Sequence, residues 1–124
     1  MIWKFTGDKP VYQQIMLTIQ GAVLRGEYTP GEKIPSVRDL AMAAKVNPNT
    51  MQHALQELER TGLLISCSTS GRHLTEDKAV IEQMRQNILD SMTKKVIAEY
   101  SALGISPAEA SKMLLDYSKE RNDP

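Results

Sequence analysis

The chain has 124 residues, of which 41% are hydrophobic and 24% charged, and these globular proportions argue against wholesale disorder. Fifteen basic residues balance fifteen acidic ones and only 5% of residues are aromatic, so neither net charge nor a base-stacking sheet indicates a nucleic-acid binder. The single cysteine, Cys67, excludes an internal disulfide, and no apolar run reaches the roughly 18 residues of a membrane span. With no signal peptide at the start, these features predict a cytoplasmic protein without membrane contact.

The first predicted helix lies in "KPVYQQIMLTIQGAVLRG". Pro10 suits its first turn and Gly26 the position after its end. Its apolar face, at helical spacing, consists of Val11, Ile15, Ile19, Ala22 and Val23. The turn-rich link "EYTPGEKIP" separates it from a second helix, "SVRDLAMAA", for which Ser36 is the expected N-cap. The buried stripe of this second helix comprises Val37, Leu40, Ala41 and Ala44.

The third predicted helix, in "VNPNTMQHALQELERTG", has strong signals at both ends. Asn47 suits the N-cap, Pro48 the first helical position and Gly62 the stop. Its apolar stripe consists of Met51, Ala54, Leu55 and Leu58. After it, "LLIS" and "HLT" predict two short strands around "CSTSGR", a hairpin with Gly71 in or near the turn.

The third helix exposes uncharged polar side chains where a plain scaffold helix would carry charges. Two short helices joined by "KVN" have the proportions of a helix-turn-helix, whose second helix enters the major groove of DNA with its N-terminal residues first. The polar side chains of its first two turns carry donors and acceptors that suit base edges, and they are Asn49, Thr50, Gln52 and His53. Two other interpretations stay open: an ordinary solvated face, and a module that binds a partner protein.

From Asp77 the pattern changes to two further helices. The first ends at Gly104 and carries apolar residues close to a heptad seam, namely Ile81, Met84, Ile88, Met92 and Val96. The second begins with Ser106 as its cap, and its apolar stripe is Ala110, Met113, Leu114 and Tyr117. Because two helices cannot bury these stripes alone, a second copy of the chain is the simplest partner. The predicted domains are a DNA-binding domain at residues 1–75 and a dimerisation tail at residues 76–124.

The motifs "PGEKIPSVRDLA" and "NPNTMQHALQELERTGL" resemble the winged-helix domain of the GntR family of bacterial transcription regulators, and the resemblance covers residues 9–64. The two-helix tail is similar to that of the YtrA subfamily. This resemblance implies a mainly α protein with a small β-hairpin, in which a winged helix-turn-helix domain precedes a two-helix dimerisation tail. It also implies a homodimeric transcription regulator, most simply a repressor, that binds double-stranded DNA at an inverted-repeat operator.

The DNA-contact positions of the family fall on three parts of this chain. Near the start of the second helix they match Ser36 and Arg38, which would touch phosphate or base. On the recognition helix they match Asn47, Asn49, Thr50, Gln52 and His53, and on the wing they match Gly71 and Arg72. The chain departs from the family pattern at His53, where arginine is commoner, at Leu55, where an aromatic residue is commoner, and in the wing ending "GRHLTE".

Other chemistry finds little support in the sequence. There is no Gly-rich phosphate loop, nucleophile elbow or HExxH motif, so neither an enzyme nor a cofactor is expected. The spacing of His53, Cys67 and His73 matches no metal-ligand pattern, and no metal is expected. The tail is too short to enclose a pocket, so a small-molecule effector of unknown identity would lie at the dimer interface or between domains.

Overall fold

The computed structural model describes residues 1–121, and the last three residues of the predicted tail lie outside the described residues. In this range five helices and one antiparallel pair of strands follow in the order α1 Val11–Leu24, α2 Val37–Ala44, α3 Pro48–Arg60, β1 Leu64–Cys67, β2 Gly71–Leu74, α4 Lys78–Ala102 and α5 Pro107–Arg121. The chain divides into two compact units, Met1–Gln83 and Met84–Pro124. The mainly α fold with a small hairpin confirms the predicted fold class.

The predicted N-caps of α2 and α3 are confirmed as hydrogen bonds. The Ser36 hydroxyl accepts from the backbone N–H of Asp39 at 3.1 Å, and Asn47 Oδ1 accepts from the backbone N–H of Asn49 at 2.7 Å. Each bond satisfies a helix N-terminal donor that has no partner within the helix, and Pro48 at the first helical position removes another such donor. Both helices therefore begin where the sequence places them.

The three helices of the first unit pack their apolar stripes together. α3 contacts α1, α2 and β1, and its stripe is 0% exposed throughout: Met51, Ala54, Leu55 and Leu58. Burial of each larger side chain contributes about 1.5–3 kcal/mol, so the stripe determines which face of α3 stays outside. Val11, predicted to belong to the stripe of α1, is instead 39% exposed because it is the first residue of the helix. Pro10 is the N-cap rather than part of the first turn, since its ψ of 142° is extended.

The hairpin is confirmed, with a first strand shifted by one residue, a longer second strand and a shorter turn than predicted. Leu64 lies opposite Leu74 and Cys67 opposite Gly71, so the turn consists of residues 68–70. Gly71 begins β2 with a φ of +82°, a conformation that glycine adopts without a Cβ clash. Arg72 lies within the strand and not in the turn.

The link before α2, predicted as turn material, also pairs with β2. Its backbone hydrogen bonds are Gly31 N–H to Leu74 O at 2.8 Å, Leu74 N–H to Glu32 O at 2.9 Å and Ile34 N–H to Arg72 O at 3.0 Å. An isolated bridge joins Lys33 to His73. The link thus adds a short third segment to the edge of the wing, although it contains the Pro30–Gly31 turn signal.

The connection between α2 and α3 turns at Lys45. This residue has a φ of 57°, and it alone among the non-glycine residues of the described range has a positive φ. Its backbone N–H donates to Met42 O at 3.3 Å and closes α2. A residue with a Cβ in this left-handed region carries about 1–2 kcal/mol of strain. The strained residue lets α3 begin only a few residues after α2 ends.

The predicted helices of the tail are confirmed as α4 and α5. The Ser106 hydroxyl accepts from the backbone N–H of Glu109 at 3.2 Å and caps α5. α4 contains no buried residue, and Met92 on its predicted seam is 59% exposed. On α5, Ala110 is buried, whereas the rest of the predicted stripe is half exposed: Met113, Leu114 and Tyr117. None of the helices in residues 1–121 combines the length and the apolar character that crossing a membrane requires.

Candidate nucleic-acid interface

α3 exposes a polar face on the side away from its buried stripe. Asn49 and His53 are exposed, while Thr50 and Gln52 are half-buried. The side chains of Asn49 and Thr50 make no hydrogen bond to any other residue in the described range 1–121. The Asn47 side chain caps the helix, so it orients the start of this face.

Gln52 and His53 have contacts within the protein. Gln52 Oε1 accepts a hydrogen bond from Arg72 Nη1 at 3.5 Å. The His53 imidazole stacks on the ring of Tyr12 from α1, with ring centroids 4.0 Å apart and planes inclined by 24°. His53 Nε2 also lies 4.0 Å from Glu57 Oε1, and the side chain stays 51% exposed. These contacts position both side chains before any ligand binds.

The two predicted wing residues are placed differently. Gly71 is exposed at the start of β2. The Arg72 guanidinium, in contrast, packs against α3, where its Nε donates to a carboxylate oxygen of Glu59. Its side chain is only 16% exposed. Arg72 therefore does not project from the tip of the wing.

The N-terminus of α2 presents Ser36 and Arg38. The Ser36 oxygen accepts the capping bond, so its O–H remains able to donate to another group. Arg38 is exposed and has no hydrogen bond or ion pair within residues 1–121. Because the N-terminus of a helix carries a partial positive charge, this pair of side chains suits a phosphate or another anion.

Arginines neutralise the two carboxylates in the C-terminal half of α3. Glu57 Oε2 accepts from Arg60 Nε at 2.7 Å, and Glu59 is paired with Arg72. Unpaired carboxylates on this helix would repel a phosphate backbone within the Debye length of about 8–10 Å. With both paired, the polar face keeps no such repulsive charge.

Three further residues belong to this surface and were not predicted. Gln56 is exposed one turn after Gln52. Because residues four positions apart lie on the same face of a helix, the sequence could have identified it. Lys45 adds an exposed cation in the turn before α3, which no sequence signal marks. Tyr12 of α1 supplies the ring on which His53 stacks.

The other face of the wing carries His73 and Cys67. His73 Nε2 lies 2.9 Å from Ser70 Oγ, and its Nδ1 lies 3.3 Å from the carbonyl oxygen of Gly31. Cys67 is exposed. Across residues 1–121, His, Cys, Asp and Glu side chains form no group of three or more that is arranged to hold a metal ion.

Comparison with known proteins decides the family. Residues 11–74, which comprise α1 to β2, match the model of the bacterial regulatory proteins of the gntR family. The chain belongs to the GntR family. Its relatives include the HTH-type transcriptional repressor YtrA of Bacillus subtilis, which is 29% identical over 112 residues, or 90% of this chain and 86% of YtrA. The predicted resemblance to YtrA-type GntR regulators is confirmed.

Two solved structures are similar to this chain. A GntR family transcriptional regulator from Listeria monocytogenes superposes with a TM-score of 0.82 and 38% identity, covering 94% of this chain and 98% of that one. AraR(DBD), solved in complex with operator ORX1, superposes with a TM-score of 0.56 and 26% identity, covering 60% of this chain and 96% of that one. This GntR-family protein is a transcriptional regulator with a winged-helix DNA-binding domain.

Proposed function

We propose that this GntR-family regulator is a repressor that binds an inverted-repeat operator in double-stranded DNA as a homodimer. The observation that carries the proposal is the two-sided character of α3, with a fully buried apolar stripe opposite an exposed polar face. A helix anchored on one side and polar on the other has the shape and the chemistry to enter the major groove. The operator complex of AraR(DBD) supports duplex DNA as the partner.

The proposed contacts divide between the two short helices and the wing. Ser36 and Arg38, at the N-terminus of α2, hold a phosphate or a base edge. Base edges face the polar side chains of α3, which are Asn49, Thr50, Gln52 and His53. Asn47 orients the start of α3 through its capping bond. Gly71, which has no side chain, lets the backbone of the wing approach the duplex closely.

The proposed dimer forms through residues 76–124. Along α4 the seam residues are half-buried or exposed: Ile81, Met84, Ile88, Met92 and Val96. On α5, Met113, Leu114 and Tyr117 are 50%, 55% and 58% exposed. Apolar groups in this number and spacing are typical of a surface that another subunit covers. A two-fold dimer would present two recognition helices to successive major grooves about 34 Å apart, which requires an inverted repeat.

Selection of bound fragments from random DNA duplexes tests this proposal. We expect an enriched inverted repeat whose half-site centres lie about 10 base pairs apart. Affinity for that duplex should fall steeply with salt, because each neutralised phosphate contributes about −0.9 to the slope of log K against log salt concentration. The variant Asn49→Asp places a carboxylate on the DNA-facing side and should abolish enrichment while the fold is kept. Failure of the wild-type protein to enrich any duplex contradicts the proposal.

Repression itself requires a separate experiment in cells. The description of YtrA as a repressor supports this direction of control. A reporter promoter overlapped by the selected duplex should lose transcription when the wild-type protein is expressed in the bacterial cytoplasm, and Asn49→Asp should leave transcription unchanged. Increased transcription would identify an activator instead. A small-molecule effector stays a prediction to which no residue is assigned.

A further inference from the structure

We propose that Arg72 is a positioning residue that determines which base Gln52 prefers, and that it is not itself a wing contact to DNA. This inference rests on the proposed function, because it requires the polar face of α3 to lie in the major groove. It assigns to Arg72 a role different from the one that the family resemblance implies.

The first step is the geometry of Arg72. The residue lies in β2, and its side chain reaches α3, where Nε bonds to Glu59 and Nη1 bonds to Gln52 Oε1 at 3.5 Å. The side chains of Arg72 and Glu59 are 16% and 28% exposed. A guanidinium held by a carboxylate in a mostly buried position is poorly placed to neutralise a phosphate. Its Nη1 atom instead contacts Gln52, a residue on the side of α3 that is proposed to face DNA.

The second step concerns the orientation of the Gln52 amide. A guanidinium has five N–H donors and no acceptor, so the amide atom that faces it must be the carbonyl oxygen. This contact determines the amide orientation and leaves Nε2 as the free end. Within residues 1–121, Gln52 Nε2 has no hydrogen-bond partner. Gln52 therefore offers DNA a free donor, while its carbonyl oxygen is held towards Arg72 by one hydrogen bond.

The third step is the consequence for base preference. A free glutamine pairs with adenine through both amide atoms, because its carbonyl accepts from N6 and its amino group donates to N7. Guanine presents two acceptors, O6 and N7, in the major groove. The bond from arginine occupies one of the two lone pairs of the glutamine carbonyl and holds this oxygen towards arginine, so pairing with adenine through both amide atoms is weakened while the donor that guanine needs is kept. Arg72 thus shifts the preference of Gln52 from adenine to guanine.

The test uses the full-length protein and the selected operator with each of the four base pairs at every position of the half-site. The position contacted by Gln52 is the one at which Gln52→Met removes the base preference. There the wild type should favour guanine, and Arg72→Met should lower the ratio of guanine to adenine affinity on the order of tenfold. The matched control is Arg60→Met, which removes the same charge and likewise leaves one carboxylate of α3, Glu57, unpaired. This control should keep the wild-type base preference, and the salt dependence of Arg72→Met should match that of the control.

A double variant separates positioning from a direct contact. In the Gln52→Met background, Arg72→Met should change the base profile no further, because the amide through which Arg72 acts is gone. Arg72 would instead be a phosphate ligand, and the inference would be overturned, if Arg72→Met lost affinity equally for all four bases and its plot of log K against log salt concentration were shallower than that of Arg60→Met by the slope of about one phosphate contact. The inference would also be overturned if Gln52→Met left the base preference unchanged at every operator position.

Circular dichroism shows whether Arg72→Met folds, and a second variant tests the inference if it does not. Gln52→Glu places a carboxylate against Arg72 and removes the donor, so it should fold and lose the guanine preference. A retained guanine preference overturns the inference. Failure of the wild type to select any duplex contradicts the proposed function, whereas selection with a profile insensitive to Arg72→Met contradicts this inference alone.

Discussion

The side chains proposed to face DNA differ in how far the protein has already positioned them. Gln52 contacts Arg72, and His53 stacks on Tyr12, whereas Arg38 has no such contact within residues 1–121. Immobilising a flexible side chain on binding costs about 0.5–1.5 kcal/mol, and positioned side chains avoid part of this loss. We therefore expect Gln52 and His53 to favour particular bases. Arg38 can adapt to a phosphate or to a base edge.

Replacement of Arg38 tests its assignment. Arg38→Ala should weaken operator binding by about 1–3 kcal/mol if the guanidinium contacts a base edge, with the largest loss on the preferred sequence. Operator titration at constant salt measures the change. Arg25→Ala is the control, since Arg25 follows α1 and is paired with Glu27 at 2.7 Å. An unchanged titration for Arg38→Ala would remove this residue from the interface.

Glu27 gives the first unit a dependence on pH. Its carboxylate accepts from Arg25 Nε at 2.7 Å, and chiefly this bond, with help from the N-terminal ammonium, lowers the pKa of Glu27 below its ordinary value of 4.5. The unfolded chain therefore takes up the proton first as pH falls. The stabilisation is complete above the ordinary pKa and disappears as pH falls through the lowered one.

Urea unfolding from pH 6 down to about pH 3 measures this effect. Wild type should be more stable than Glu27→Gln at pH 6, and the difference between their midpoints should vanish at the acid end. The control Glu99→Gln removes an exposed carboxylate of α4 and should show no such convergence. A difference that persists unchanged at low pH would contradict the ion pair.

At the scale of secondary structure, the stability and the orientation of α3 depend on its N-cap, its buried apolar stripe and the turn that precedes it. The Asn47 cap and the buried stripe stabilise the helix and determine which face points outward. The left-handed conformation of Lys45 turns the chain between α2 and α3. Because strain is retained where surrounding packing enforces it, the turn holds the two helices in a defined relation. The proposed contacts of α2 with phosphate and of α3 with base edges would then be made together.

The cap is tested by two substitutions of Asn47. Asn47→Ala removes the side-chain acceptor and should lower the free energy of unfolding by about 0.5–2 kcal/mol. Asn47→Ser keeps an acceptor suited to the N-cap and should retain most of the stability. Urea unfolding at neutral pH compares the two. Equal stability of Asn47→Ala and wild type would show that the 2.7 Å bond to the Asn49 N–H does not stabilise the protein.

At the scale of the whole molecule, the proposed dimerisation would raise an affinity for DNA that a single subunit lacks. The chain carries no net charge, so one small DNA-binding module has little long-range attraction for a polyanion. Linking two modules makes the second binding event intramolecular and can raise avidity by about 10²–10⁴. In the proposed dimer, the exposed apolar residues of α4 and α5 would supply the surface for that link.

Two charges on the predicted seam should separate the subunits. The double variant Ile88→Asp, Met92→Asp should give folded monomers that bind the operator poorly, because burying carboxylates at an interface is strongly unfavourable. Sedimentation measures the oligomeric state and titration the affinity. The control Thr93→Asp, Lys94→Asp changes exposed positions of the same helix away from the seam and should remain dimeric. Dimers in the Ile88, Met92 variant would place the seam elsewhere.

Much of this architecture follows from short-range signals in the amino-acid order. The caps at Ser36, Asn47 and Ser106 each join residues two or three positions apart, and the stripe of α3 follows the helical period. Such interactions join residues within one or two helical turns of each other, so they can be predicted from the sequence. The same motifs carry the resemblance to GntR regulators, which the family match over residues 11–74 confirms.

Contacts between distant segments could not be found in this way. The pairing of the Gly31 segment with β2, the stack of His53 on Tyr12 and the bond from Arg72 to Glu59 each depend on how separate elements pack. Nothing near Arg72 in the chain distinguishes a side chain that projects from the wing from one that packs against α3. Packing of the core brings β2 beside α3, and this juxtaposition gives the Arg72 guanidinium its carboxylate partner.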